Sequence, residues 1–79
     1  MREIEIELHN VQDVLDFVAL ATSRSFPIRV AGDQHQVNAI SFMEMFCLDL
    51  SHPLTAIFQC SDAEYDAFCL DADRFLVRK

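Results

Sequence analysis

The decapeptide "IELHNVQDVL", residues 6–15, sets His9 between an alternating apolar run and the start of a helical one. An exposed imidazole beside a helix amino end can take a phosphoryl group, because free backbone N–H groups there receive its oxygens. The residue after it argues for a plainer role. Asn10 stands where an N-cap belongs and would use those same donors, which makes His9 the residue that precedes a cap. Ser41 is the second candidate. With Glu44 it forms the S-x-x-E spacing of a capping box, and a hydroxyl at a helix start also tolerates an added phosphate. Cys47 and His52 are close enough in sequence to suggest a thiol–imidazole pair. The three cysteines Cys47, Cys60 and Cys69, together with His9, His35 and His52, have no zinc-ligand spacing. A hydrolase or transferase would need a nucleophile–base or carboxylate pair in a cleft. Here the acids fall on solvated faces, and a chain with one glycine has no glycine-rich phosphate loop. The reading is a non-enzyme with no metal and no cofactor.

Seventy-nine residues make one domain, 1–79, and a hydrophobic content of 52% supplies a core for it. A formal charge of −7 disfavours nucleic acid and makes a basic or mixed protein partner easier to meet than an acidic one. No apolar run has the length of a membrane span, and Met1 leads into "REIEIEL" without a signal-peptide pattern. The cysteines, odd in number and without a CxxC pair, read as reduced core or near-core thiols. The expectation is a cytoplasmic protein without a membrane partner, monomeric or weakly dimeric.

The hydrophobic pattern supplies the elements that would position these residues. "EIEIEL" alternates, with Ile4, Ile6 and Leu8 on one face and Glu3, Glu5 and Glu7 on the other. From Val11 to Ser23 the period becomes helical. Val11, Val14, Val18 and Ala21 form the inward stripe with Leu15 and Phe17 beside it, Asp13 and Asp16 point away, and Pro27 follows the end. "PIRVAGDQHQVNA" reads as two strands about a Gly-Asp turn, with Ile28, Val30, Val37 and Ala39 inward and Gly32 where a positive φ is cheapest. "SFMEMFCLDL" is a short helix broken by His52-Pro53, and "LTAIFQC" is a strand with Leu54, Ala56, Phe58 and Cys60 inward. Ser61 and Glu64 repeat the S-x-x-E code before a last helix whose stripe is Tyr65, Phe68, Cys69, Ala72, Phe75 and Leu76, with Arg78 and Lys79 at its negative end. The order β-α-β-β-α-β-α, with one-sided strands and helices, predicts an α+β open-faced two-layer sandwich. Its sheet is four-stranded and antiparallel in the order 1-4-2-3, with three helices on one face. A ferredoxin-like βαββαβ domain with an added helix is the other architecture this order allows.

In element order and length, nearly the whole chain resembles HPr, the histidine phosphocarrier family of the bacterial sugar phosphotransferase system. "VNAISFMEM", residues 37–45, reads like the family's V-N-L-K-S-I-M-G-V at the start of its second helix, and "DAF" at 66–68 like its D-A-L. The family's phosphoacceptor lies in G-I-H-A-R-P-A. The matching "LHNVQDV" lacks the Gly, Arg and Pro, its loop is shorter, and the family histidine falls on Asn10 with His9 one residue early. Ser41 falls on the serine that a regulatory kinase phosphorylates in many Gram-positive relatives, although Glu44 would repel such a phosphate. Phe42, Met43 and Phe46 fall on the apolar patch through which the family docks partners, while Met45 and Leu48 would face the sheet. The resemblance implies a phosphocarrier-related protein that acts as a binding or regulatory adaptor without the usual phosphohistidine motif. The implied partners are proteins: enzyme I, sugar permease components, an HPr-type kinase or a transcription regulator. A stand-alone interaction or oligomerisation module, unrelated to phosphoryl transfer, is the reading from another class.

Overall fold

The computed structural model describes residues 1–32 and 35–77. Strand β1 (Arg2–Ile6) leads to helix α1 (Val11–Thr22), then to the hairpin β2 (Ile28–Ala31) and β3 (Gln36–Asn38). The one-turn helix α2 (Phe42–Met45), strand β4 (Leu54–Phe58), helix α3 (Asp62–Asp71) and a 3-10 turn (Asp73–Phe75) follow. The sheet order is β1-β4-β2-β3 and all of its pairings are antiparallel. The order excludes the ferredoxin-like alternative, a split βαβ sheet with β1 and β3 side by side at its centre, because here β1 and β3 are the two edge strands.

One row across the sheet shows why a single face is covered. Ile4 pairs with Ala56, Ala56 with Val30 and Val30 with Val37, all apolar. The next row, Glu3, Ile57, Arg29 and Asn38, turns to the open face. Against the apolar face lie Val14, Phe17, Val18 and Ala21 of α1, Met45 of α2 and Phe68 of α3, all buried. Phe17 makes edge contacts with Phe68 and Phe75 at centroid distances of 6.4 and 5.5 Å, and Phe58 meets Phe68 at 5.0 Å. Such edge-to-face pairs each add about 0.5–1.5 kcal/mol beyond the area they bury.

Several expectations need correction. Val11 and Leu15 are exposed, because the buried stripe of α1 is centred on Val14, Phe17, Val18 and Ala21 and leaves them on its flank. Asp13 and Asp16 do not simply point into water. Both contact Arg74, at 2.7 and 3.1 Å. Cys47 is exposed and no core thiol, since α2 is too short to turn it inward, whereas Cys60 and Cys69 are half-buried. Gly32 has no positive φ. What it meets is crowding, for a Cβ there would lie 3.1 Å from Leu48 Cδ2. The final helix stops at Asp71 and does not carry its stripe to the chain end. The chain turns at Ala72, buries Phe75, and runs back along β1, where Glu7 N donates to Phe75 O (2.7 Å), Val77 N to Glu5 O (3.1 Å), and Ile6 bridges Leu76. An otherwise bare sheet edge is thereby covered. Asp33 of the expected Gly-Asp turn and the helix-end role of Arg78 and Lys79 lie outside the described residues.

Candidate functional site

The amino end of α1 is closed by its own side chains. Asp13 N donates to Asn10 Oδ1 (2.8 Å), and the Asp13 carboxylate in return accepts from His9 N (3.0 Å). A carboxylate therefore lies in the first turn, where a phosphoryl group would otherwise meet free N–H groups. The bond from the His9 backbone, helped by Arg74, holds the Asp13 carboxyl below its ordinary value. The His9 imidazole is exposed, and its Nε2 lies 3.3 Å from Glu7 Oε2. Sequence reasoning found no cation for this end. The fold brings one, Arg74, from across the chain, but spends its guanidinium on Asp13 and Asp16.

A shallow cavity of about 300 Å³ opens beside His9, lined by Glu7, His9, Leu50, Ser51, His52 and Pro53. His9 and His52, distant in sequence, both line this opening. Cys47 and His52, by contrast, find separate partners: the Cys47 thiol donates to Met43 O (3.3 Å), and His52 Nε2 lies 3.7 Å from Asp49 Oδ2. Asp49 also accepts from the Ser51 hydroxyl (2.6 Å) and backbone N–H (3.0 Å), which lowers its carboxyl below the ordinary range. Among the described residues no cluster of His, Cys, Asp and Glu is arranged to hold a metal ion.

At α2, Ser41 Oγ accepts from Glu44 N over 3.4 Å, half of a capping box. The other half is taken, because Ser41 N already donates to Asn38 O (3.1 Å). Met45 and Leu48 face the sheet, at 0% and 6% exposure. Phe42, Met43 and Phe46 do not. They are 45%, 79% and 45% exposed, and Ile40 just before them is 52% exposed. Val11 and Leu15 are likewise exposed on α1, the helix that packs against α2. Sequence periodicity had assigned both to the core; the sign that could have separated them is their position on the helix, a turn away from the centre of the stripe.

This layout, an open-faced antiparallel sandwich in the order β1-β4-β2-β3 with its helices on one face, is an HPr-like fold. Neither a family model nor a curated protein matches the chain. Among solved structures it is similar to the crystal structure of HPr-C-His from Thermoanaerobacter tengcongensis, with a TM-score of 0.72, 26% sequence identity and 92% of each chain covered. The likeness extends over nearly the whole chain and supports the HPr-like assignment of its fold.

Proposed function

We propose that this chain is a phosphotransferase-type adaptor that binds partner proteins through Phe42, Met43 and Phe46, and that His9 does not relay a phosphoryl group. The observation that carries this reading is the amino end of α1. One of its donors, Asp13 N, is engaged by Asn10, and Asp13 adds a negative charge at the point a phosphoryl group would have to approach. Glu7 beside the imidazole adds a second. Ser41 is a helix cap in this reading. A phosphate there would face Glu44 within the same turn, and like charges in one helix turn repel. The exposed aromatic rings and methionine support docking, since such anchors supply much of an interface's energy.

The experiment is a titration of the isotopically labelled chain with enzyme I, followed by amide NMR. Shifts at Phe42, Met43 and Phe46 that weaken on Phe46→Ser are expected. Binding centred on another face, or no binding to enzyme I, would remove the phosphotransferase reading and leave the stand-alone interaction module.

A further inference from the structure

We propose that the apolar face shared by α1 and α2 docks a protein whose own apolar patch is rimmed by arginine and lysine. This rests on the docking role above and names the chemistry of the partner.

The surface is built from two helices. At about 100° per residue, Val11 and Leu15 fall on one flank of α1 while Asp13 and Asp16 fall on the other, where Arg74 holds them. Their free flank, exposed at 60% and 36%, adds to Ile40, Phe42, Met43 and Phe46 of the α2 region. These six are all but two of the large exposed apolar side chains among the described residues; Met1 and Leu70 are the others. Apolar side chains gathered on one face mark an interaction site more strongly than the same number scattered singly.

Charge decides what fits. Neither residues 7–22 nor residues 36–53 contain a lysine or arginine, yet they carry Glu7, Asp13, Asp16, Glu44 and Asp49. Of the described arginines, Arg74 pairs with Asp13 and Asp16 of α1, while Arg2 is engaged with Asp62, Arg24 with Asp71 and Arg29 with Gln36. Arg74 answers Asp13 and Asp16 on the far flank of α1, which leaves Glu44 and Asp49 as the acids nearest the patch on the α2 side, and among the described residues no lysine or arginine lies in either segment to answer them. A second copy of this chain, also at −7, would bring like charge to like. An anionic lipid surface would be repelled in the same way. A cationic rim is attracted on approach and pairs with Glu44 and Asp49 once the apolar centres meet.

The test uses the full chain, labelled for amide NMR, and three helical peptides with one identical Leu/Phe face whose flanks carry arginine and lysine, glutamine, or glutamate. The cationic peptide is expected to bind about tenfold or more tighter than the glutamine peptide at low salt, with the gap closing as salt shortens the range of the field. Shifts should centre on Val11, Leu15, Met43 and Phe46, and Met43→Ser should weaken binding while leaving the rest of the spectrum folded. Two charge-matched double variants separate a local rim from net charge. Glu44→Gln with Asp49→Asn should narrow the gap, whereas Glu3→Gln with Glu5→Gln, on the open sheet face, should leave it. Equal binding of all three peptides, no binding of the cationic one, or an equal effect of both double variants would overturn the proposal. So would a homodimer, seen in sedimentation, that Met43→Ser dissolves. If enzyme I fails to bind while the cationic peptide succeeds, only the phosphotransferase reading falls; the reverse result removes only the cationic rim.

Discussion

Two stretches of this chain spell the same helix-start code, Ser41-x-x-Glu44 and Ser61-x-x-Glu64, and the fold completes only the second. At α3 the box closes both ways: Glu64 N donates to Ser61 Oγ (3.2 Å) and Ser61 N to Glu64 Oε1 (2.9 Å). At α2 the Ser41 N–H is already bonded to Asn38 O, so Glu44 has no donor to return to and stays in solvent. The helices differ in the same sense. α3 runs for ten residues and buries Phe68, whereas α2 runs for four, buries Met45 and leaves Phe42, Met43 and Phe46 exposed. A motif that satisfies backbone donors can do so only where the preceding chain has left them free. The well-capped helix holds the core together, and the half-capped one presents side chains outward.

The sharpest way to break this contrast is to truncate one phenylalanine from each helix. Phe68→Ala should cost about 3–5 kcal/mol, the range for a buried Phe, and leave little of this small domain folded at elevated temperature. Phe46→Ser should stay within about 1 kcal/mol in denaturant melts, because the ring is already half in water. Equal costs would mean that α2 is ordinary core. The caps should differ less. Ser61→Ala is expected near the upper part of the 0.5–2 kcal/mol range and Ser41→Ala near about 0.5 kcal/mol, and a reversed order in the same melts would refute the account of the two boxes.

The smallest effect is a pH dependence. Glu64 accepts from the Ser61 backbone and hydroxyl, and these bonds lower its pKa in the folded state from an ordinary 4.5. A depressed carboxylate contributes stability that is complete above its ordinary value and is lost as the pH falls through the folded-state one. Asp13, lowered first by the His9 backbone from an ordinary 3.8, behaves the same way. Glu64→Gln and Asp13→Asn should each flatten the acid limb of thermal melts. Unchanged limbs would show that these bonds are not kept in solution.

Much of the fold was legible in the sequence, because the strands alternate and the helices are one-sided, and a sheet with one wet face leaves few arrangements. The caps at Asn10 and Ser61 follow from residues near one another in the chain, whereas the sheet order joins β1 to the distant β4 and the element order alone allows two architectures. What escaped depends on distant contacts. Arg74 reaches Asp13 from sixty-one positions away, Leu76 leaves the helical stripe to pair with Ile6, and Gly32 is limited by Leu48 and not by its own φ. Val11 and Leu15 were misassigned for a related reason. A helix with apolar residues on two adjacent flanks does not say which flank the sheet will take.

The central claim is that the chain binds partners and does not carry phosphate at His9. The most direct measurement is the intact mass of the chain at neutral pH after incubation with enzyme I and phosphoenolpyruvate. The account predicts an unmodified chain, with Asn10 and Asp13 still closing the amino end of α1. A phosphoryl adduct that is lost in acid and abolished by His9→Ala would contradict it.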